Sequence, residues 1–168
     1  MTARYNIAVI GKAGVAKSSL VNYLIGRKVA KIGSCRPTTT EGFHAHDFEF
    51  NGLLATLFDS NGLEAGKATA WLGALRAELA ERTPKAAPED WFHTILYCIC
   101  AGGHRVEPFE TEVMREICNQ RYRLTVVLTK ADQVDEDDLR KLEEVIHADV
   151  GLDVPVLPVI SARQERYG

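Results

Sequence analysis

Apolar positions along the chain follow two periods in turn. Residues 5–10 end in a continuous apolar run and predict a first strand, and Leu20, Val21, Leu24 and Ile25 at helical spacing predict a first helix over residues 18–26. Residues 28–41 are polar, rich in small side chains and fit neither period. Residues 42–50 and 53–58 read as strands joined by Asn51-Gly52, a dipeptide suited to a two-residue type I′ turn, so an antiparallel hairpin is expected. His44 and His46 share parity with Phe48 and Phe50, which a bulge or a partly exposed edge would explain. Trp71, Leu72, Leu75 and Leu79 predict a helix over 65–82, and Pro84 and Pro88 mark a surface loop over 83–90.

The pattern then repeats. Residues 92–101 and 122–128 are near-continuous apolar runs, as strands buried on both faces require, and 154–160 is a last strand. Between them, Gly102-Gly103 breaks the chain before a helix over 108–120, and a charged amphipathic helix is expected over 136–148. Strands alternating with helices give an α/β fold of three layers: a six-stranded, mostly parallel sheet with one antiparallel edge strand and helices on both faces. Ligands of such sheets bind at the carboxyl ends of the strands.

The first of those ends carries Gly11-Lys12-Ala13-Gly14-Val15-Ala16-Lys17-Ser18, a strand-loop-helix context that fits a phosphate-binding loop. It departs from G-x-x-x-x-G-K-[ST] at one residue, Ala16, where the pattern has glycine. The backbone N–H groups of Ala13, Gly14, Val15, Ala16, Lys17, Ser18 and Ser19 are the expected phosphate donors, helped by the helix dipole. Lys17 would bridge the outer phosphates and Ser18 would offer its hydroxyl to magnesium. If Ala16 sits at positive φ, its Cβ costs about 1–2 kcal/mol.

Composition narrows the class. The chain has 168 residues, 46% apolar and 26% charged, enough for one domain with a sizeable core. A net charge of −3 gives no electrostatic case for direct nucleic-acid binding. There is no apolar run long enough for a transmembrane segment and no signal or lipidation motif, so a cytoplasmic setting is expected. The four cysteines and five histidines show no metal spacing; Cys98 and Cys100 share one face of a strand, and His104, beside Gly102-Gly103, is the one histidine near the expected site. Trp71 and Trp91 read as packing residues, and the acidic run at 135–138 as a helix start.

Further motifs stand at strand ends: Asp59-Ser60-Asn61-Gly62, Thr129-Lys130-Ala131-Asp132 and Ser161-Ala162-Arg163. With the loop and the Thr38-Thr39-Thr40 run, their order resembles the five nucleotide motifs of the P-loop GTPases over nearly the whole chain. The resemblance is to the TrmE–Era–EngA–septin class of translation-factor-related GTPases, and the loop looks most like the branch of the septins, the AIG-type and the YfjP-like proteins. It implies a G domain over 1–168, with GTP or GDP and magnesium as ligands. Under it Asp59 holds magnesium, Gly62 senses the γ-phosphate and Asp132 accepts two hydrogen bonds from guanine. The Lys130 stem lies over the base, the Ala162 N–H meets guanine O6, and Thr129 and Ser161 complete the base motifs. Thr40, nineteen residues before Asp59, is the switch threonine that binds magnesium and γ-phosphate in the triphosphate state, with Thr39 as alternate.

Departures from the family pattern shape the expected activity. Leu63 follows the D-x-x-G motif where Ras-like members carry a water-orienting glutamine, so hydrolysis of GTP to GDP and phosphate should be slow unless a protein partner or effector, a nucleotide-dependent dimer or another internal group supplies the missing function. Arg36, in the 28–41 segment, could act as an internal charge stabiliser, but an exposed loop arginine is more often just solvated. Gly14 stands where potassium-using members have asparagine, which argues against potassium activation. Members of this fold end in a helix after the Ser-Ala motif, and only residues 164–168 follow here, so the expectation is either a domain cut from a longer protein or a family that lacks or borrows the last helix. Two other readings stay open: an interaction module that binds nucleotide with little turnover, and a P-loop ATPase, which Asp132 disfavours.

Overall fold

The computed structural model describes residues 4–25, 35–37, 43–50, 52–60, 67–83 and 86–160. In chain order the elements are β1 (Arg4–Gly11), α1 (Lys17–Ile25), β2 (Cys35–Pro37), β3 (Phe43–Phe50), β4 (Leu53–Ser60), α2 (Ala68–Glu81), β5 (Thr94–Cys100), α3 (Pro108–Asn119), β6 (Leu124–Thr129), α4 (Glu136–Asp149) and β7 (Val156–Pro158). Among the described residues the strands form one sheet in the order β2-β3-β4-β1-β5-β6-β7. All six expected strands are present. β4, β1, β5, β6 and β7 run parallel to one another, and β3 is antiparallel to both of its neighbours, β2 and β4.

Two expectations change. A seventh strand, β2, lies in the segment that fitted neither period and pairs antiparallel with β3, Arg36 opposite Ala45. The antiparallel strand is therefore next to the edge and not at it, because β2 pairs along its outer side at His44 to His46. The β3–β4 hairpin is in unbroken register from Phe43 opposite Ser60 to Phe50 opposite Leu53, with Gly52 at φ +79° in the turn. With no bulge in that register, the parity of His44 and His46 reflects a face that is only partly covered: His44 is exposed and His46 and Phe48 are half-buried.

The sheet divides two cores. On one face Leu75 and Leu79 of α2, Val113, Met114 and Ile117 of α3, and Leu142 and Ile146 of α4 pack on Ala8, Ile10, Ile95, Tyr97, Val126 and Leu128. Full burial of each large side chain contributes about 1.5–3 kcal/mol. On the other face Leu20 and Val21 of α1 cover Val9, Leu57, Cys98 and Val127. The alternation of Ala8, Val9 and Ile10 between these cores is the period-2 geometry of a strand buried on both sides. The expectation about a last helix falls on residues 161–168, outside the described residues.

Helix ends are fixed locally. α3 starts with a capping box, the Glu107 and Glu110 side chains each meeting the other's backbone N–H, with Pro108 in the first turn. At α4 the Asp135 carboxylate accepts the Asp138 N–H at 2.8 Å, ahead of the acidic first turn. These two starts set where the β5–α3 and β6–α4 loops run, on the carboxyl side of the sheet.

Candidate functional site

Gly11 ends β1 where no side chain fits: a Cβ there would lie 2.8 Å from the Cys98 carbonyl oxygen and 3.0 Å from Val15 Cγ2. The chain then turns through Gly14 at φ +79° and Ala16 at φ +61°. Ala16 thus takes the left-handed conformation on which its cost depended, about 1–2 kcal/mol that glycine would not incur. The Ala16 carbonyl accepts the Leu20 N–H at 3.1 Å, so α1 begins at once.

Lys17, the first residue of α1, is 7% exposed. Its ammonium lies 3.2 Å from Asp59 Oδ1 and donates to the Ser60 carbonyl at the end of β4. The Ser60 hydroxyl in turn donates to the Val9 carbonyl at 3.1 Å, which holds the ends of β4 and β1 together. From β6, the wholly buried Thr129 hydroxyl donates to the Val15 carbonyl at 2.6 Å, with the Ile99 carbonyl at 3.3 Å. Thr129 therefore braces the loop from behind. After it Lys130 sits at φ +53°, and Asp132 is exposed in the short turn Ala131–Gln133. The Ala131 N–H donates to the Val159 carbonyl at 3.1 Å, bringing the run that follows β7 beside that turn.

The sheet thus brings together Lys17, Asp59, Thr129 and the loop Ala13 to Ser19, and sets Lys130 and Asp132 at the same carboxyl edge. Thr40, Gly62, Leu63, Ser161 and Ala162 lie outside the described residues, as does the Ser18 side chain. His104 sits at φ +54°, with its ring 3.4 Å from Asp138 on α4. Among the described residues no group of three or more His, Cys, Asp and Glu side chains could hold a metal ion by itself. The expected magnesium donors, Ser18, Thr40 and Asp59, are all oxygen, the chemistry a hard divalent cation takes.

One contact went unread in the sequence. Lys12, the second loop residue, reaches the α3 cap residue Glu107 at 3.2 Å and Glu110 in the first turn of α3 at 3.8 Å. Lys12 holds the Glu107 carboxyl below its usual range, whereas burial pushes that of Glu110 up against the opposing effect of the Glu107 N–H and Lys12. Behind the loop, burial pushes the Cys98 thiol up to about 12, with Lys17 opposing the shift. The local signal for Lys12 was the Glu-x-x-Glu start of α3, but nothing in the sequence joins it to a residue 95 positions earlier.

A model of the family described as 50S ribosome-binding GTPase matches residues 6–145. The chain belongs to that family. Within it, the chain is 27% identical to septin-9 of Homo sapiens over 89% of its length, and 25% identical over 83% to the GTPase Era of Caldicellulosiruptor saccharolyticus. It spans only 30% of that septin and 44% of that Era. Among solved structures it shares the fold of Toc33 from Arabidopsis thaliana in complex with Mg2+ and GMPPNP, with a TM-score of 0.67, 21% identity, and coverage of 97% of this chain and 73% of Toc33. The matched span includes the strand-loop-helix at Gly11 to Lys17.

Proposed function

We propose that the chain is a guanine-nucleotide-binding switch that hydrolyses GTP to GDP and phosphate slowly, within one domain over residues 1–168 and in the cytoplasm. The observation that carries this reading is the convergence of the Lys17 ammonium and the Asp59 carboxylate under a loop that Thr129 braces. Phosphate oxygens are the ligands that such a lysine, the loop N–H groups and the α1 N-terminus can satisfy together.

Each residue then has a task. Lys17 takes the outer phosphates, and the N–H groups of Ala13 to Ser19 hold the inner ones. Ser18, Thr40 and Asp59 would hold magnesium, which when bound offsets phosphate charge. The Asp132 carboxylate accepts from the N1–H and 2-amino groups of guanine; adenine offers no such pair, and a carboxylate desolvated against it is left unpaired. Lys130 covers the base with its stem, and Ser161 and Ala162 close the pocket with the Ala162 N–H on O6. Gly62 and Thr40 read the γ-phosphate, so the 28–41 segment orders with GTP and loosens with GDP.

Leu63 cannot orient water, so turnover depends on a protein partner, a second copy of the chain or another internal group. A second reading, a nucleotide-dependent interaction module with almost no turnover, is favoured by Leu63 together with the strained Ala16. Calorimetric titration with GTP, GDP and ATP in magnesium tests specificity: GTP and GDP should bind, and ATP should bind at least roughly 100-fold more weakly. Equal binding of ATP defeats the guanine assignment. Single-turnover release of phosphate from GTP separates the switch enzyme from the interaction module.

A further inference from the structure

Lys12 lies inside the phosphate loop but turns away from Lys17's partners toward α3. Its ammonium sits between Glu107 Oε1 at 3.2 Å and Glu110 Oε2 at 3.8 Å. Glu110 Oε2 also accepts the Glu107 N–H at 3.1 Å, while Oε1 is buried with no hydrogen-bond partner among the described residues. Glu110 is wholly buried, so Lys12 is the cation that offsets a carboxylate removed from water. Arg105, 3.3 Å from Glu107, is the other cation at this turn and is largely exposed.

The helix so gripped is itself fixed. Arg76 of α2 makes a two-pronged pair with Glu116 of α3 at 2.8 and 3.1 Å, and the Trp71 and Phe109 rings lie 6.0 Å apart. α3 is therefore a rigid support packed on the core through Val113, Met114 and Ile117. A lysine that only added positive potential near phosphate would not need two carboxylates closed around it, since those cancel its charge.

We propose that Lys12 is a positioning residue for the nucleotide: held by Glu107 and Glu110, it anchors the entering arm of the phosphate loop to α3 and so sets the loop N–H groups in their phosphate-binding arrangement. This rests on the nucleotide reading above. The two accounts of Lys12 differ in sign. As an anchor, losing the carboxylates loosens nucleotide; as a diffuse charge, losing two nearby negative charges tightens it.

The test is GDP affinity by calorimetry in magnesium for the unaltered chain, Lys12→Met, Lys12→Arg, Glu107→Gln with Glu110→Gln, and all three neutral substitutions together. Lys12→Met and the Gln pair should each weaken GDP by about tenfold, the scale of one charge-assisted contact. The triple variant should be no weaker than either, because both remove one contact. Lys12→Arg, which keeps the charge and the reach, should restore binding. Tighter GDP in the Gln pair, additive losses, or failure of Arg to rescue overturns the proposal. Glu107→Gln alone, on the half-exposed side of the contact, gives the same sign test should the Glu110 substitution unfold the chain. Absence of GDP binding by the unaltered chain overturns the nucleotide reading and this anchor with it, whereas normal GDP binding by Lys12→Met overturns the anchor alone.

Discussion

The Lys17 ammonium stands 3.2 Å from Asp59 Oδ1, which pairs the cation proposed for phosphate with the carboxylate proposed for magnesium. On the proposed reading, phosphate competes with Asp59 for Lys17, and magnesium would take the carboxylate. Asp59→Asn removes the competitor: in EDTA it should tighten GDP by up to about tenfold, the scale of a lost charge-assisted contact. In magnesium the gain should vanish, because the ion loses a ligand. Calorimetry under both conditions reads the ratio, and an unchanged magnesium dependence would separate Asp59 from the metal.

Ala16 at φ +61° gives a prediction with two opposed contributions. Ala16→Gly relieves about 1–2 kcal/mol of left-handed strain and loses about 0.4–1 kcal/mol through a freer unfolded chain. The net gain, up to about 1.5 kcal/mol, should raise the melting temperature by roughly 1–5 °C for a chain of this size. A melting temperature that falls would show that the loop does not rest in this conformation.

Thr129→Val keeps shape and burial but leaves the Val15 carbonyl without its 2.6 Å donor. The expected loss is about 1–3 kcal/mol of stability, measured by urea denaturation. GDP binding should weaken with it, since Val15 belongs to the loop. A neutral result in both would mean that water replaces the hydroxyl there.

Cys98 makes stability fall at alkaline pH. Its thiol rises from 9.0 to about 12 because burial disfavours the thiolate. The folded chain therefore holds this proton more tightly than the unfolded one. Its contribution is whole below about pH 9 and is lost as pH climbs toward 12. Urea denaturation from pH 7 to 10.5 should show a downward slope above pH 9 that Cys98→Ala reduces. Near pH 8 the same burial should leave Cys98 inert to thiol reagents until the chain opens.

Much of the architecture was legible because it is written in local periods. The apolar runs of β1, β5 and β6, the amphipathic α3 and α4, and Asn51-Gly52 each name their element without help from a distant residue. Lys17, Asp59, Lys130 and Asp132 were legible as candidates for the same reason: each motif sits where a strand gives way to a loop. β2 was not, since three residues carry no period and become a strand only by pairing with β3.

What the sequence determined by itself, then, was the order of the elements that carry a period, the faces they bury and the residue types offered at the carboxyl edge of the sheet. Tertiary structure alone decided which of those residues meet. Lys17 finds Asp59 across 42 positions, Thr129 finds Val15 across 114, and Lys12 finds the α3 cap. Periodicity encodes which side of an element is apolar, but a charge or hydroxyl has no period. Its partner is fixed only when the parallel ladders set strand ends side by side, and the left-handed turn at Ala16 is fixed by the same closure.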